Sequence, residues 1–302
     1  MRQHDETRRG VLFGALAYGS WGVLPIYFHA LEPAGPLEIL AHRILWSAIF
    51  CMIFWAIRGD LGWMKSLWQH PRRLGVVTIA AYVLAVNWGI YIYAVSQDNV
   101  LESSLGYFIN PIILVLIGVL VLKERMNATQ WTAIGLGVLA VIVITIDYGQ
   151  PPWLALLLAV SFSIYGYIKK MLGVSMGAVE TMTAESVLLV PFSLGALWWI
   201  SAHANNLTYL HHGLRHTLLL TFLGLITILP LTLFGAAARR LPLVITGLLQ
   251  YITPIGQFLV GVLVFGEHMS RGRWIGFGIV WCALVLLTVD SLRGRRRAMS
   301  PT

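Results

Sequence analysis

The chain reads as an all-α membrane protein of ten transmembrane helices in two inverted five-helix repeats, and three observations predict this. Of its 302 residues, 58% are hydrophobic and only 11% charged, which leaves more apolar surface than a soluble domain of this length hides. Continuously apolar runs of about 18 to 22 residues, enough at 1.5 Å rise each to cross a ~30 Å hydrocarbon core, can be placed ten times. Their continuity argues for helices, because the strands of a membrane barrel alternate apolar and polar residues. Residues 105 to 147 then recur without a gap 143 positions later, with identities at Leu105/Leu248, Pro111/Pro254, Ile112/Ile255, Leu116/Leu259, Gly118/Gly261, Glu124/Glu267, Met126/Met269, Trp131/Trp274, Gly135/Gly278, Ala140/Ala283, Thr145/Thr288 and Asp147/Asp290. A duplicated unit with an odd number of spans inserts its second copy upside down, an arrangement many secondary transporters use to build a site near the bilayer midplane.

The elements follow in order. The first span, 10–28, lies behind Thr7-Arg8-Arg9, which faintly resembles an export signal; the apolar run is too long and no small-residue cleavage site follows before Pro33 and Pro36, so it reads as an uncleaved span. The second, 36–57, carries Glu38, His42 and Arg43. Residues 58 to 73, with four basic residues, Trp63 and Trp68, read as an amphipathic segment lying on the inner membrane surface. Spans at 74–95, 101–122 and 128–146 complete the first repeat. Asp147 to Pro152 is the polar, proline-bearing break that divides 1–147 from 151–290. The second repeat has spans at 152–170, 178–199, 215–236, 243–265 and 273–290, with an external loop over 200–214 and a basic cytoplasmic tail at 291–302. That loop holds His203, His211 and His212, and His212 with His216 has the i, i+4 spacing a metal site can use; no carboxylate or cysteine accompanies them, so they read as a solvated cluster and no metal is expected. Cys51 and Cys282, in opposite repeats, read as small buried hydrophobes. The sequons at Asn127 and Asn206 carry no weight by themselves.

The net charge of +8 invites a nucleic-acid reading, and the position of the charges decides against it. With the N-terminus in the cytoplasm, seventeen of the 21 Lys and Arg residues fall inside, three (Arg215, Arg271, Arg273) outside and Arg43 within a span. This is the positive-inside pattern of a multi-pass inner-membrane protein with both termini cytoplasmic. The tail Arg293 to Arg297 reads as an orientation signal.

Ionisable residues inside spans are the informative ones, since each costs at least ~2.5–3.5 kcal/mol at mid-membrane. Arg43 and Glu185 are 142 apart, at nearly equivalent sites of the two repeats. Facing each other, they would either bind solute and exchange protons or form a permanent ion pair between the repeats. Glu38 and His42, one turn apart, suit a proton relay or a hydrated outer edge. Lys169 and Lys170 read as topology markers. In the fourth span Ser103, Tyr107 and Asn110 share one face, and adding 143 gives Thr246, Gln250 and Thr253 on the ninth, with Gln257 one turn further; each stripe meets its proline, Pro111 or Pro254. Such stripes line a pocket or join helices by hydrogen bonds. Trp21 and Tyr165, in the paired first and sixth spans, and Asn87 with Tyr91 in the third complete the expected lining. Trp131 and Trp274 read as interfacial anchors, and Gly272 and Gly276, with Gly135 and Gly137 opposite, as close-approach points of helices five and ten that pack together or join a homodimer.

At Asn87-Trp88-Gly89-Ile90-Tyr91-Ile92-Tyr93-Ala94 and Ser103-Ser104-Leu105-Gly106-Tyr107-Phe108-Ile109-Asn110-Pro111 the chain resembles the EamA-type transporters of the drug/metabolite transporter superfamily, and within them the RarD group. Leu40-Ala41-His42-Arg43 with Trp46-Ser47, Pro230-Leu231-Thr232-Leu233-Phe234, Ala237-Ala238-Arg239-Arg240-Leu241-Pro242, Gly247-Leu248-Leu249-Gln250-Tyr251 and Gly266-Glu267 extend the resemblance over nearly the whole length. It implies ten helices, two inverted repeats and a central pocket, the drug/metabolite transporter fold. It does not name a solute, because members move amino acids, sugars, nucleotide derivatives and toxic cations. The expectation is a secondary transporter for a small organic solute, working without cofactor, partnered by the bilayer and by no nucleic acid. A channel or non-transporting scaffold is the alternative. No catalytic constellation or Walker A motif is present to argue for an enzyme or an ATP-driven pump.

Overall fold

The computed structural model describes residues 2–122, 127–172, 176–204, 206–238, 240–241 and 243–299, and among them all regular structure is helical. The order is α1 Arg2–Gly22, α2 Leu24–His29, α3 Pro36–Arg58, α4 Gly62–Gln69, α5 Pro71–Ser96, α6 Val100–Leu122, α7 Ala128–Tyr148, α8 Trp153–Leu172, α9 Ala178–Leu188, α10 Val190–Trp199, a π-turn Ile200–Ala204, α11 Gly213–Ala238, α12 Leu243–Leu249, α13 Ile252–Leu259, a π-turn Val260–Val264 and α14 Arg271–Met299. Seven of these stretches are long and apolar enough to cross a membrane, and the pair Val179–Leu188 and Val190–His203, bent by 42°, makes an eighth if it is one span. The side chains of the basic tail and Glu124, the copy of Glu267, lie outside the described residues.

Local sequence sets the ends. Pro36 and Pro71 open α3 and α5, where a missing N–H costs nothing. Gly59 closes α3 at φ 70°, in the left-handed region that favours glycine. Prolines also explain two breaks: α1 gives way to α2 at Val23 ahead of Pro25, and α9 to α10 at Leu189 ahead of Pro191. The two repeat-related prolines behave differently. Pro111 stays inside a continuous α6, whereas the copy bearing Pro254 is interrupted at residues 250–251 and again by a π-turn.

Two packed cores organise the bundle. One joins α2, α3, α5 and α11 through Leu24, Phe28, Ile44, Ile92, Leu220 and Leu223. The other joins α6, α7, α8, α13 and α14 through Leu105, Phe108, Ile144, Ala155, Phe258 and Phe277. Between them α6 packs on α8 and α13, and α1 on α11 and α13. Glycine permits the closest crossings. A Cβ on Gly256 would lie 2.9 Å from the Gly22 Cα, and one on Gly224 would lie 2.5 Å from the backbone carbonyl carbon of Trp46. The segment after α3 folds as a short helix: Leu67 is buried with Val77 and Ala184, and the Trp63 ring lies tilted 5.4 Å from Trp55, while Trp68 stays exposed. Cys51 is buried; Cys282 is not, because it faces out from α14.

The helix pair α7 and α14 is held by a reciprocal exchange. Asn127, which caps α7 by accepting from Gln130 N at 2.9 Å, donates to Asp290 near the far end of α14 at 2.8 and 2.9 Å. Ser270 accepts from Arg273 N at 3.1 Å and donates to Asp147 at the end of α7. Each carboxylate so meets the positive end of the other helix, which fixes the pair as antiparallel. Gly272 and Gly276 face Asp147 and Ile144 across this contact, and Gly137 faces Ile112, whereas Gly135 looks into open space.

Gly224→Ala is expected to lose about 1–3 kcal/mol through overpacking against the α3 backbone, and Gly135→Ala to leave stability unchanged or raised. Thermal unfolding of the two purified variants in detergent separates them; equal midpoints would contradict the packing.

Candidate functional site

The polar centre of the molecule gathers around Asn87 on α5, 1% exposed. Its Nδ2 donates to the Leu158 carbonyl at 3.2 Å and to Ser161 Oγ at 2.9 Å on α8, and its Oδ1 accepts from the Tyr107 hydroxyl of α6 at 3.2 Å. One turn along α5, the Tyr91 hydroxyl accepts from Gln257 Nε2 of α13 at 3.1 Å. The rings of Tyr91 and Tyr107 meet edge-on at 5.8 Å, so Asn87, Tyr91 and Tyr107 come together as the sequence suggests. Gln257, the polar residue that lengthens the second stripe, joins them.

The rest of the two stripes is spent elsewhere. Asn110 Oδ1 accepts from Ser163 Oγ at 2.6 Å, and Thr253 Oγ1 donates to the Tyr18 carbonyl at 2.9 Å. Both bonds join helices. Ser103 bonds within its own helix, to the Asn99 carbonyl at 3.2 Å. Gln250 is half-buried at the break between α12 and α13. Trp21 packs against Tyr18 at 5.6 Å and Phe234 at 6.5 Å, on the wall formed by α1 and α11.

Arg43 and Glu185 do not pair. Arg43, 5% exposed, donates from Nε to Thr227 Oγ1 of α11 at 3.1 Å and lies with its guanidinium 4.0 Å over the Trp88 ring and 5.7 Å from Phe28. Glu185, 2% exposed, is bonded by Lys169 Nζ at 3.1 Å and by the Tyr165 hydroxyl at 3.2 and 3.3 Å. The two side chains point at different helices: Arg43 from α3 toward α5 and α11, and Glu185 from α9 toward α8. Lys169 is therefore a partner of the buried carboxylate and not only a marker of topology.

Glu38 is buried, 2% exposed, rather than hydrated. Its Oε1 accepts from Thr208 N at 2.9 Å, Thr208 Oγ1 at 3.0 Å and Tyr209 N at 2.9 Å, pinning the segment before α11 to α3. His42 Nε2 stands 4.0 Å from that carboxylate, too far for a hydrogen bond, and its ring lies under Tyr209 at 4.4 Å. His216 Nε2 bonds Thr208 Oγ1 at 2.7 Å and its ring meets His212 at 5.7 Å.

Rings connect these groups. Phe28, Tyr91, Tyr107, Phe162 and Tyr165 follow one another at 5.7 to 6.0 Å, leading from Arg43 to Glu185 and Lys169. At the Phe28 end lies a cavity of about 550 Å³ lined by His29, Asp98, Asn99, Phe265, Glu267, His268 and Arg273. Glu267 accepts from Val100 N at 2.6 Å and Leu101 N at 3.0 Å; burial pushes its carboxyl up, against the pull of those N–H groups and of Arg273. Glu102 accepts from Leu154 N at 2.9 Å at the start of α8, also beside Arg273. Lys169 sits fifteen residues further along α8, roughly 22 Å at helical rise, and is 30% exposed. The aromatic column therefore runs from an open cavity at one end of the bundle to the half-buried ammonium of Lys169 toward the other. Neither Lys169 nor the cavity was marked by the sequence, since each depends on which loops and helix ends meet.

The EamA-like transporter family model matches residues 8–146 and again 151–289. A RarD protein of Streptomyces exfoliatus is 48% identical over 299 residues, 99% of this chain and 94% of its own length. The uncharacterized transporter YojE of Bacillus subtilis is 39% identical over 99% of both chains. A protein of known crystal structure, 15% identical, superposes over 96% of this chain and 99% of its own with a TM-score of 0.59, a likeness of fold alone. The chain is a multi-pass membrane protein and belongs to the EamA-like transporter family, among its RarD-like members.

Proposed function

We propose that this chain is a secondary active transporter that exports a small polar or amphiphilic organic solute across the inner membrane by alternating access around a pocket between two inverted five-helix repeats. The observation that carries the reading is the aromatic column from the 550 Å³ cavity to Lys169, with the buried Arg43 and Glu185 beside it. A scaffold has no use for two buried charges next to such a column, and each is costly to keep. Ten spans follow if α1 with α2, α8, and the broken pairs α9–α10 and α12–α13 each cross once. The exchange of Asp147 and Asp290 between α7 and α14, repeat-equivalent residues on antiparallel helices, supports the inversion. So does the packing: α6 lies on α8 as α1 lies on α13. Asn87, Tyr91, Tyr107 and Arg43 line the pocket in this reading, with Asn110, Gln250, Thr253 and Trp21 shaping its walls. Glu185, with Tyr165 and Lys169, exchanges the coupling proton, and Glu38 and His42 tune the outer end. Gly135 and Gly278, both with open space in front of them, leave the outer face of α7 and α14 free for a homodimer.

Three outcomes test the proposal. Labelling from outside should reach a cysteine placed at Asn206 and not one at Ser66; the reverse pattern overturns the orientation. Proteoliposomes should exchange labelled for unlabelled solute without a gradient, which a channel does not do. Glu185→Gln should lower that exchange by about tenfold or more and flatten its pH dependence. Because Lys169 is 30% exposed, the variant should lose less stability than the ~3–5 kcal/mol of a fully buried broken pair.

A further inference from the structure

Arg43 is a buried cation with no anion beside it among the described residues. Its Nη1 reaches no acceptor, Nε has a neutral hydroxyl, and the aromatic faces of Trp88 and Phe28 supply the rest of its surroundings. Among the described residues no carboxylate oxygen lies within ion-pair distance of it. Cation–π contact and one neutral hydrogen bond offset only part of the desolvation of a guanidinium. The carboxylates nearest in the sequence logic are already committed, Glu185 to Lys169 and Tyr165, Glu38 to the backbone of Thr208 and Tyr209. A second group nearby is incomplete in the opposite sense. Gln257, 2% exposed, donates to Tyr91 and leaves its Oε1 without a donor. Tyr91 packs 5.8 Å from Phe28, the same ring that flanks Arg43, and Arg43 lies close enough to Tyr91 and Tyr107 for their hydroxyls to feel its charge.

We infer that the transported solute is an organic monoanion: a carboxylate that takes Arg43 Nη1, an N–H or O–H that reaches Gln257 Oε1, and an apolar or aromatic body held among Phe28, Trp88, Tyr91 and Tyr107. The inference rests on the transport reading and narrows it. A cation is disfavoured because Arg43 repels it, and a zwitterion because, among the described residues, the buried carboxylates Glu185 and Glu38 are already committed. An inorganic anion satisfies Arg43 but has nothing for Gln257 or the rings. Entry is from the cavity, whose lining residue His29 follows Phe28 directly and stacks 5.2 Å from Phe265.

One scaffold in four charge forms tests this on the purified full-length protein, by thermal shift and tryptophan quenching at up to about 10 mM ligand. N-acetylphenylalanine, the anion with an N–H, should stabilise most. Phenylalanine and N-acetylphenylalaninamide should bind at least about tenfold more weakly, phenylalaninamide not at all. Arg43→Lys, which keeps the charge and loses the planar fork, should weaken the anion about tenfold, and Arg43→Gln should erase the preference. If Arg43→Gln does not fold, Gln257→Leu replaces it and should lower affinity for N-acetylphenylalanine while leaving the ranking by charge. The assignment is overturned if the amine or the zwitterion binds best, if chloride or phosphate protects as well as the carboxylate, if Arg43→Gln keeps the preference, or if none of the four binds. Failure of counterflow with every solute, alongside Arg43-dependent binding of N-acetylphenylalanine, would instead sink the transport reading and leave this one standing.

Discussion

Between helices in hydrocarbon no water completes an unfilled hydrogen bond, and the interior of this protein is arranged around that constraint. Asn87 is the clearest case. Its amide has two donors and an acceptor to place, and the structure supplies Leu158, Ser161 and Tyr107 from two other helices. Three elements are thereby fixed relative to one another by one side chain. Glu38 does the same with three donors from the segment before α11, and Ser104 with the carbonyl of Pro254 at 2.8 Å, a carbonyl in α13. The interhelical bonds are individually modest, about 1 kcal/mol each. Their effect is on geometry, since an alternative packing leaves each group unpaired.

The same constraint explains why the two halves, so similar in sequence, differ in shape. Proline at 111 and at 254 removes one backbone hydrogen bond in each copy. In α6 the helix continues past it; in the second copy the chain breaks at residues 250–251 and widens into a π-turn at Val260–Val264. The break coincides with the contact between Gly22 and Gly256, where α1 and α13 approach too closely for any side chain. A helix interrupted beside another interrupted helix can bend without pulling apart its whole hydrogen-bond ladder, and that is the mechanical property alternating access needs.

Much of this was legible in the sequence, and the illegible part has a common cause. Apolar runs give span positions to within a few residues: 74–95 against Pro71–Ser96, 36–57 against Pro36–Arg58. The 143-residue offset marks Asp147 and Asp290 as equivalents, and they are found at equivalent contacts. What periodicity does not carry is the direction of a residue around its helix relative to neighbours not yet placed. Arg43 and Glu185 stand at nearly equivalent positions of the two matched halves, 142 apart, yet point at different helices. Asn110 and Thr253 lie on the stripes that reach the centre, but Ser163 and the Tyr18 carbonyl claim them. Thr227 gave no signal at all, being one of four threonines in an apolar span.

Polar residues in the centre thus divide by satisfaction rather than by position. Asn87, Asn110, Ser104 and Thr253 are bonded to neighbouring helices, so replacing any of them disturbs packing as well as the pocket it borders. Arg43 Nη1 and Gln257 Oε1 are left open, as are His42, Trp46 Nε1, Ser47 Oγ and Ser186 Oγ; in the proposed reading Arg43 and Gln257 act on whatever enters, because a carrier that filled its own valences would have nothing to offer a solute stripped of water. Glu185 is held by Lys169 and Tyr165. The stability given up at Arg43 is, under the proposed anion binding, the source of binding energy, recovered when an anion arrives.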